Sequence, residues 1–372
     1  WIKNITDKES FSFYNSNQDG QFFYNHSNTT FDLIPGFANT ISLNYLSQTN
    51  LVWKNKEASI INLGDGIINV AFHSKMNTIG SEILGALNYA IDLCEEGNYK
   101  GIVIANEGAN FSAGANVGII FMLAMEQEFE ELELAVKTFQ DTTMRLRYSP
   151  IPIVAAPHGL TLGGGCEICL HADKVIAHAE TYMGLVEFGV GLIPGGGGTK
   201  EMALRFSDGL HPGDIRINRF RDNFLTIGQA KVSSSAKEAM DLGFLRRGTD
   251  EVIISKSNQI VYAKHACLQM VEEGYIQKNI RKDISVLGQE GLGIVYAGAH
   301  SMMSGNYMSK HDQLISEKLG YVLAGGDLSQ ITEVSEQYLL DMERKAFIEL
   351  CSERKTLERI QSLLQTGKIL RN

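Results

Sequence analysis

Unbroken apolar runs alternate along this chain with stretches whose apolar positions recur every three to four residues, and glycine or proline punctuates the changes. The segment Ser59–Ser74 (SIINLGDGIINVAFHS) holds two apolar stretches about Gly64-Asp65-Gly66 and predicts a hairpin. Ser81–Cys94 has helical spacing and stops short of Gly97, while Gly101–Ala105 is a buried strand closed by a loop running to Phe111–Asn116. Helical sequence then fills Gly118–Tyr148 until Pro150 and Pro152 stop it. A second buried strand, Ile151–Ala156, leads to the turn Gly163-Gly164-Gly165 and to helically spaced apolar residues over Cys166–His171. Strand, loop and helix thus occur twice in the same order, which predicts α/β layering with ligand loops at the strand ends.

The flanks have a different character. Residues 1–57 are poor in charge and rich in Asn, Ser, Phe and Tyr, with a hairpin turn expected at Asn17–Gly20. We read them as a linker or docking segment from an upstream domain, packed on a main unit over 58–275. Within that unit, Gly209–Asp222 carries Arg216, Arg219 and Arg221, a pattern expected of a solvated surface. Residues 276–372 form a helical C-terminal region, in which Asp341–Thr366 is amphipathic, charge-rich and closed by Gly367 as a C-cap.

Composition narrows the function. A formal charge of −10 and a pI near 5.5 argue against a nucleic-acid binder, which would present a basic face. Five cysteines without framework spacing suggest a reducing compartment, and we expect a cytoplasmic protein. Cys166 and Cys169 form a CxxC without the second pair that a metal site requires, so we read them as small core residues and expect no metal. No apolar run approaches the ~20 residues of a bilayer span, and no secretory signal is visible. The chain starts at Trp1 rather than Met, which we take as the mark of a piece of something longer.

The chemistry concentrates in Ile151–Gly198. A glycine turn feeding a helix aims free N–H groups and the positive end of the helix dipole at whatever lies in front of them. Glu167 falls in the first turn of that helix, and Glu187 follows twenty positions on in a second glycine-bounded loop. Amide donors suit an oxyanion, and paired carboxylates suit proton transfer. Tight turns with two solvated glutamates would produce the same pattern without any function. His158, at a strand end, and His171 and His178 are expected to be structural.

The whole stretch resembles the crotonase family of enoyl-CoA hydratases and isomerases. GLTLGGGCE, Gly159–Glu167, is similar to the family's second oxyanion-hole segment, and the Ala172–Thr199 stretch, ending IPGGGGT, to its second catalytic-acid segment. FSAGAN, Phe111–Asn116, resembles the first oxyanion motif, with Asn116 in place of the usual Asp. His73–Asn77 resembles a shortened RPKxxN segment, and Ala236–Phe244 the later AxxAxxxGL pattern. The resemblance implies a spiral of repeated ββα units over 58–275, the catalytic domain, with the helical region as an extension. It implies Glu167 and Glu187 as catalytic acids, Ala115 and Gly164 as oxyanion donors, and Ser74, Lys75, Met76, Ala113 and Gly114 as acyl-CoA contacts.

By the same resemblance, the reaction is hydration of a 2-enoyl-CoA in fatty-acid β-oxidation, since members that only shift double bonds commonly keep one acid. An isomerase, or a non-catalytic acyl-CoA-binding or assembly module, are the alternatives. The tail, with ERKTLERI at Glu353–Ile360, resembles the C-terminus of bacterial fusions of an NAD-dependent 3-hydroxyacyl-CoA dehydrogenase with a crotonase domain. NAD is then expected only in the dehydrogenase part; Gly189-Val-Gly191 runs into Pro194 where a dinucleotide fingerprint needs glycine. Acyl-CoA is the expected partner, and the resemblance implies a homo-oligomer.

Overall fold

The structure, a computed structural model, describes residues 12–17, 20–38 and 40–372. A three-stranded antiparallel sheet comes first: β1 (Tyr14–Asn17), β2 (Gly20–Asn25) and β3 (Thr30–Ala38). Asn17 pairs with Gly20, as the expected hairpin requires, while the turn residues Gln18 and Asp19 lie outside the described residues.

After α1 (Leu43–Thr49) the main sheet begins with β4 (Leu51–Lys54), β5 (Ala58–Gly64) and β6 (Ile67–Phe72). These three are antiparallel neighbours, so the sheet starts ahead of residue 58. Gly64, Asp65 and Gly66 all have positive φ (84°, 58° and 81°), which closes the predicted β5–β6 hairpin. Helix α2 (Ser81–Glu95) leads to β7 (Gly101–Ala105), and α3 (Val117–Met125) and α4 (Phe129–Arg147) lead to β8 (Ile153–Ala156). The single helix expected over Gly118–Tyr148 is therefore two. Gln127 has φ 61° between them, amid Glu126, Glu128, Glu130 and Glu131, whose like charges would crowd a continuous helix.

Strand β9 (Gly159–Leu162), helix α5 (Gly164–His171), β10 (Lys174–His178) and β11 (Thr181–Gly184) follow, and β9 and β11 form their own parallel pair. Beyond the 3₁₀ turn Glu187–Val190 come α6 (Gly198–Asp208), α7 (Arg216–Gly228), α8 (Ala236–Asp241), β12 (Glu251–Ile253) and α9 (Gln259–Glu272). The main sheet has the order β12-β10-β8-β7-β6-β5-β4, and its pairs from β6 to β12 are parallel.

Both faces of this sheet are covered, which explains the unbroken apolar runs. Ile102 and Ile104 of β7 point into the larger core, while Val103 and Ala105 point to a smaller core closed by Ile260, Ala263 and Cys267 of α9. Arg216, Arg219 and Arg221 are exposed, as expected, but Phe220 between them is buried.

The C-terminal region comprises β13 (Ile284–Val286), α10 (Gln289–Ser304), α11 (Lys310–Leu323), β14 (Thr332–Val334), α12 (Glu336–Cys351) and α13 (Arg354–Thr366). Its small antiparallel β13–β14 pair was not expected. The amphipathic stretch Asp341–Thr366 is likewise broken, at Ser352–Glu353, before Gly367 ends α13 at φ 69° as its glycine predicted. Helix α12 packs on α4 and α6, and α13 on α3 and the Glu187 turn. All five cysteines are buried and free, Cys166 and Cys169 among them.

Candidate active site

Three segments far apart in sequence meet beyond the ends of β7 and β8. The first is the loop Phe111–Asn116. Its amides are nearly all used: Ser112 donates to Leu160 O, Ala113 to Met76 O, Gly114 to Ser112 Oγ, and Asn116 to Ile79 O. The Ala115 amide alone has no acceptor among the described residues. Asn116 caps α3 by accepting from the Gly118 amide at 3.1 Å, a task that needs an oxygen but no charge.

The second segment is the triple glycine. Gly163, at φ 49°, donates to Gly184 O and turns the chain into α5, whose first amide, Gly164, is one of the orphans every helix start leaves. A methyl group on Gly164 would lie 3.2 Å from the Ala115 nitrogen, and one on Gly163 would lie 2.7 Å from Glu187 Oε1. Only glycine lets these backbones approach so closely. The Gly164 and Ala115 amides are thus adjacent and, among the described residues, unspent.

The two acids lie against the same glycine turns, within reach of each other's charge. Glu167 is 3% exposed, and its Oε1 accepts the Gly196 and Gly198 amides, both at 2.8 Å. These amides belong to the start of α6, so a helix N-terminus holds one carboxylate oxygen and leaves Oε2 unengaged. Burial, then the nearby charges of Glu187 and Glu343, push the Glu167 carboxyl well above the usual range despite the two amides. Glu187 opens its 3₁₀ turn beside buried Leu185 and Phe188. Its Oε2 is buried with no hydrogen-bond partner among the described residues. Burial pushes its carboxyl up to about 7, with Glu343 adding to the rise.

The remaining predicted contacts surround the first loop. Met76 adopts φ 57° and offers its carbonyl to Ala113 at 3.1 Å, Ser74 Oγ donates to Thr78 O, and Lys75 is exposed at the rim. Ala113 and Gly114 complete that wall. Phe139 of α4 forms another, since a methyl on either Gly164 or Gly196 would meet its ring. His158 is buried at the strand end, as expected, with Nε2 at 3.2 Å from Gly108 O. His178 contacts Ile254 O.

His171 does more than pack. Its Nδ1 lies 2.7 Å from Glu167 O and its Nε2 2.9 Å from Lys200 Nζ. Lys200, fully buried, also reaches Glu336 Oε1 at 3.0 Å and Glu201 Oε2 at 3.3 Å, and Arg147 Nη1 donates to Glu201 at 2.9 Å.

Sequence reasoning missed Glu336 and Glu343, both fully buried on α12. A charge-rich helix reads as solvated. The available signal was position: Glu336 and Glu343 share the helical stripe of Leu339, Leu340, Phe347 and Leu350, where a carboxylate has to find buried partners. Among the described residues no three His, Cys, Asp or Glu side chains are grouped to hold a metal, and no helix is long and apolar enough to cross a membrane.

Comparison with known proteins bears on this site. The sequence profile described as enoyl-CoA hydratase/isomerase matches residues 62–206. A probable 3-hydroxyacyl-CoA dehydrogenase of Bacillus subtilis is 40% identical over 373 residues, covering 100% of this chain and 46% of that protein. The chain therefore spans less than half the length of that relative. A probable enoyl-CoA hydratase of the same organism is 32% identical over 200 residues, 51% of this chain and 68% of the relative. The crystal structure of an enoyl-CoA hydratase from Bacillus halodurans superposes with a TM-score of 0.56 at 17% identity, covering 83% of this chain and 100% of that one, a likeness of fold.

Proposed function

The chain belongs to the enoyl-CoA hydratase/isomerase family, and from that premise we propose that it adds water to 2-enoyl-CoA thioesters to give 3-hydroxyacyl-CoA. The supporting observation is that buried Glu167, and Glu187 with its buried Oε2, lie against the same glycine turns as two amides unspent among the described residues.

Water is too weak a nucleophile to attack an enoyl thioester unaided, and attack at the β-carbon drives negative charge onto the thioester oxygen. The Ala115 and Gly164 amides bind that oxygen, and the loss of one such donor typically raises a barrier by ~3 kcal/mol. With the proton of the pair on Glu187, ionised Glu167 holds the water with Oε2, its Oε1 being committed to the amides of α6, and takes a proton as oxygen attacks. Glu187, whose carboxyl near 7 is part protonated at neutral pH, delivers the proton to the α-carbon. Ser74, Lys75, Met76, Ala113 and Gly114 line the approach of the coenzyme A portion. The product is a substrate for a dehydrogenase of the kind the longer relative is named for, which suggests a place in β-oxidation beside such an activity. NAD would be bound by that other activity.

The test uses crotonyl-CoA and the ultraviolet absorbance of its conjugated thioester. The protein is expected to bleach that band, and Glu167→Gln to slow the bleaching ~100-fold or more. Tight acyl-CoA binding without bleaching would overturn hydration and favour the binding module.

A further inference from the structure

The following rests on the hydration reading. The two acids lie beside a third carboxylate, supplied by the C-terminal region. Glu343 of α12 is fully buried. Its Oε1 accepts the Gly197 amide at 2.7 Å and Gln140 Nε2 at 3.1 Å, and its Oε2 accepts the Lys200 amide at 3.0 Å. Those amides interleave with the Gly196 and Gly198 amides that hold Glu167, so one helix N-terminus serves two carboxylates.

The two are not equivalent. Both Glu343 oxygens accept N–H donors, three in all, and those hydrogen bonds favour its ionised form. Among the described residues, Glu167 keeps one oxygen unengaged and Glu187 Oε2 has no partner. Lys200 is the cation whose charge acts on Glu343, and its ammonium is already shared between Glu336 and Glu201. The other elements packed around Glu343 present Gln140 from α4, Glu167 and His171 from α5, and Glu187 from its turn; Arg147 of α4 is engaged by Glu201 and Glu336. Arg344 is turned to Gln140 Oε1 and Glu133.

We propose that Glu343 is a positioning residue for hydration: a fixed negative charge, delivered by α12 of the C-terminal region, that keeps one proton on the Glu167/Glu187 pair and so maintains a general acid at neutral pH. Three neighbouring carboxylates cannot all ionise cheaply, and the one that accepts the most N–H donors stays charged. The same hydrogen bonds hold the start of α6, and through it the Glu167 carboxylate, in place.

The experiment compares the pH profile of crotonyl-CoA hydration in wild type, Glu343→Gln and Glu343→Asp, and follows the carboxyl carbons of Glu343 and Glu187 by ¹³C NMR in the wild-type chain. Glu343→Gln keeps the shape of the side chain but removes its charge. Its alkaline limb is expected to move down by about 0.5–1 pH unit, a ~3–10-fold loss on that limb with little change near pH 6. Glu343→Asp retains the wild-type limb even where its rate is lower.

In wild type, the Glu343 signal stays in its ionised position across the range in which the pair titrates. A Glu343→Gln profile scaled equally at every pH would overturn the proposal. So would a Glu343 signal that titrates together with Glu187, whether or not any variant folds. The NMR arm needs no turnover, so a failure of hydration itself registers separately, as wild type that leaves crotonyl-CoA unchanged.

Discussion

Two buried charged clusters flank the first turn of α6, and they are built on opposite principles. On one side Arg147, Lys200 and Arg205 surround Glu201, with Glu336 closing the group. Burial alone would raise Glu201, but the three cations overcome it and hold its carboxyl well below the usual range. On the other side lie Glu167, Glu187 and Glu343, with backbone amides on Glu167 and Glu343 and, among the described residues, no partner on Glu187 Oε2, and burial pushes all three up. A compensated cluster keeps its protons fixed and serves as scaffold. An uncompensated one holds a carboxyl where it can gain and lose a proton near neutrality, which suits acid–base work.

The largest effect should come from breaking the balanced side. Lys200→Met leaves Glu201 and Glu336 short of a buried cation and should cost about 3–5 kcal/mol in a denaturant titration. A loss under ~1 kcal/mol would mean that the network is far more hydrated than its burial implies.

The unbalanced side should respond in the opposite way. Glu187→Gln should lose ~100-fold in hydration yet gain stability. The folded carboxyl sits near 7 against an ordinary 4.5, so between those values the folded chain keeps a proton that the unfolded chain has released. Wild-type stability therefore falls as pH rises through that window. The advantage of the glutamine variant should grow across it and level off above about 7, as thermal melts at pH 5 and 8 would reveal.

Gly164→Ala tests the amides rather than the acids. Its methyl would lie 2.9 Å from Phe139 Cζ and 3.2 Å from the Ala115 nitrogen. It should reduce kcat by about 10–100-fold by disturbing the two donors, with a far smaller change in stability than Lys200→Met. The smallest effect is expected at exposed Lys75, where Lys75→Ala should raise KM for the CoA ester a few-fold and leave kcat alone.

Much of this comparison was legible in the chain itself, for local reasons. The apolar run into Gly163–Gly165 specifies strand, turn and helix within twenty residues, and that turn leaves the Gly164 amide free. Glu167 and Glu187 could be placed near each other because motif resemblance supplied the long-range contact that spacing cannot. What stayed hidden depended on tertiary pairing. The β9–β11 pair joins segments too short to stand out from loops, and the break at Gln127 reflects a single residue's backbone. Glu343 lies at the far end of the sequence from Glu167, on a helix whose charges look solvated until Leu339, Leu340 and Phe347 are seen to share its face. The balanced cluster was hidden for the same reason, since Lys200 follows a glycine run and looks like an ordinary helix-start lysine.

The placement of α12 has a practical corollary for anyone wishing to trim the chain. Residues 58–275 contain every motif that marks the family, and a cut near 275 is tempting on that ground. Such a fragment would uncover Phe347's seat on Gly195 and Thr356's on Gly191, and it would strip Lys200 of Glu336 and the α6 amides of Glu343. The excised piece should precipitate or melt early, and adding the 276–372 peptide in trans would be the way to rescue it.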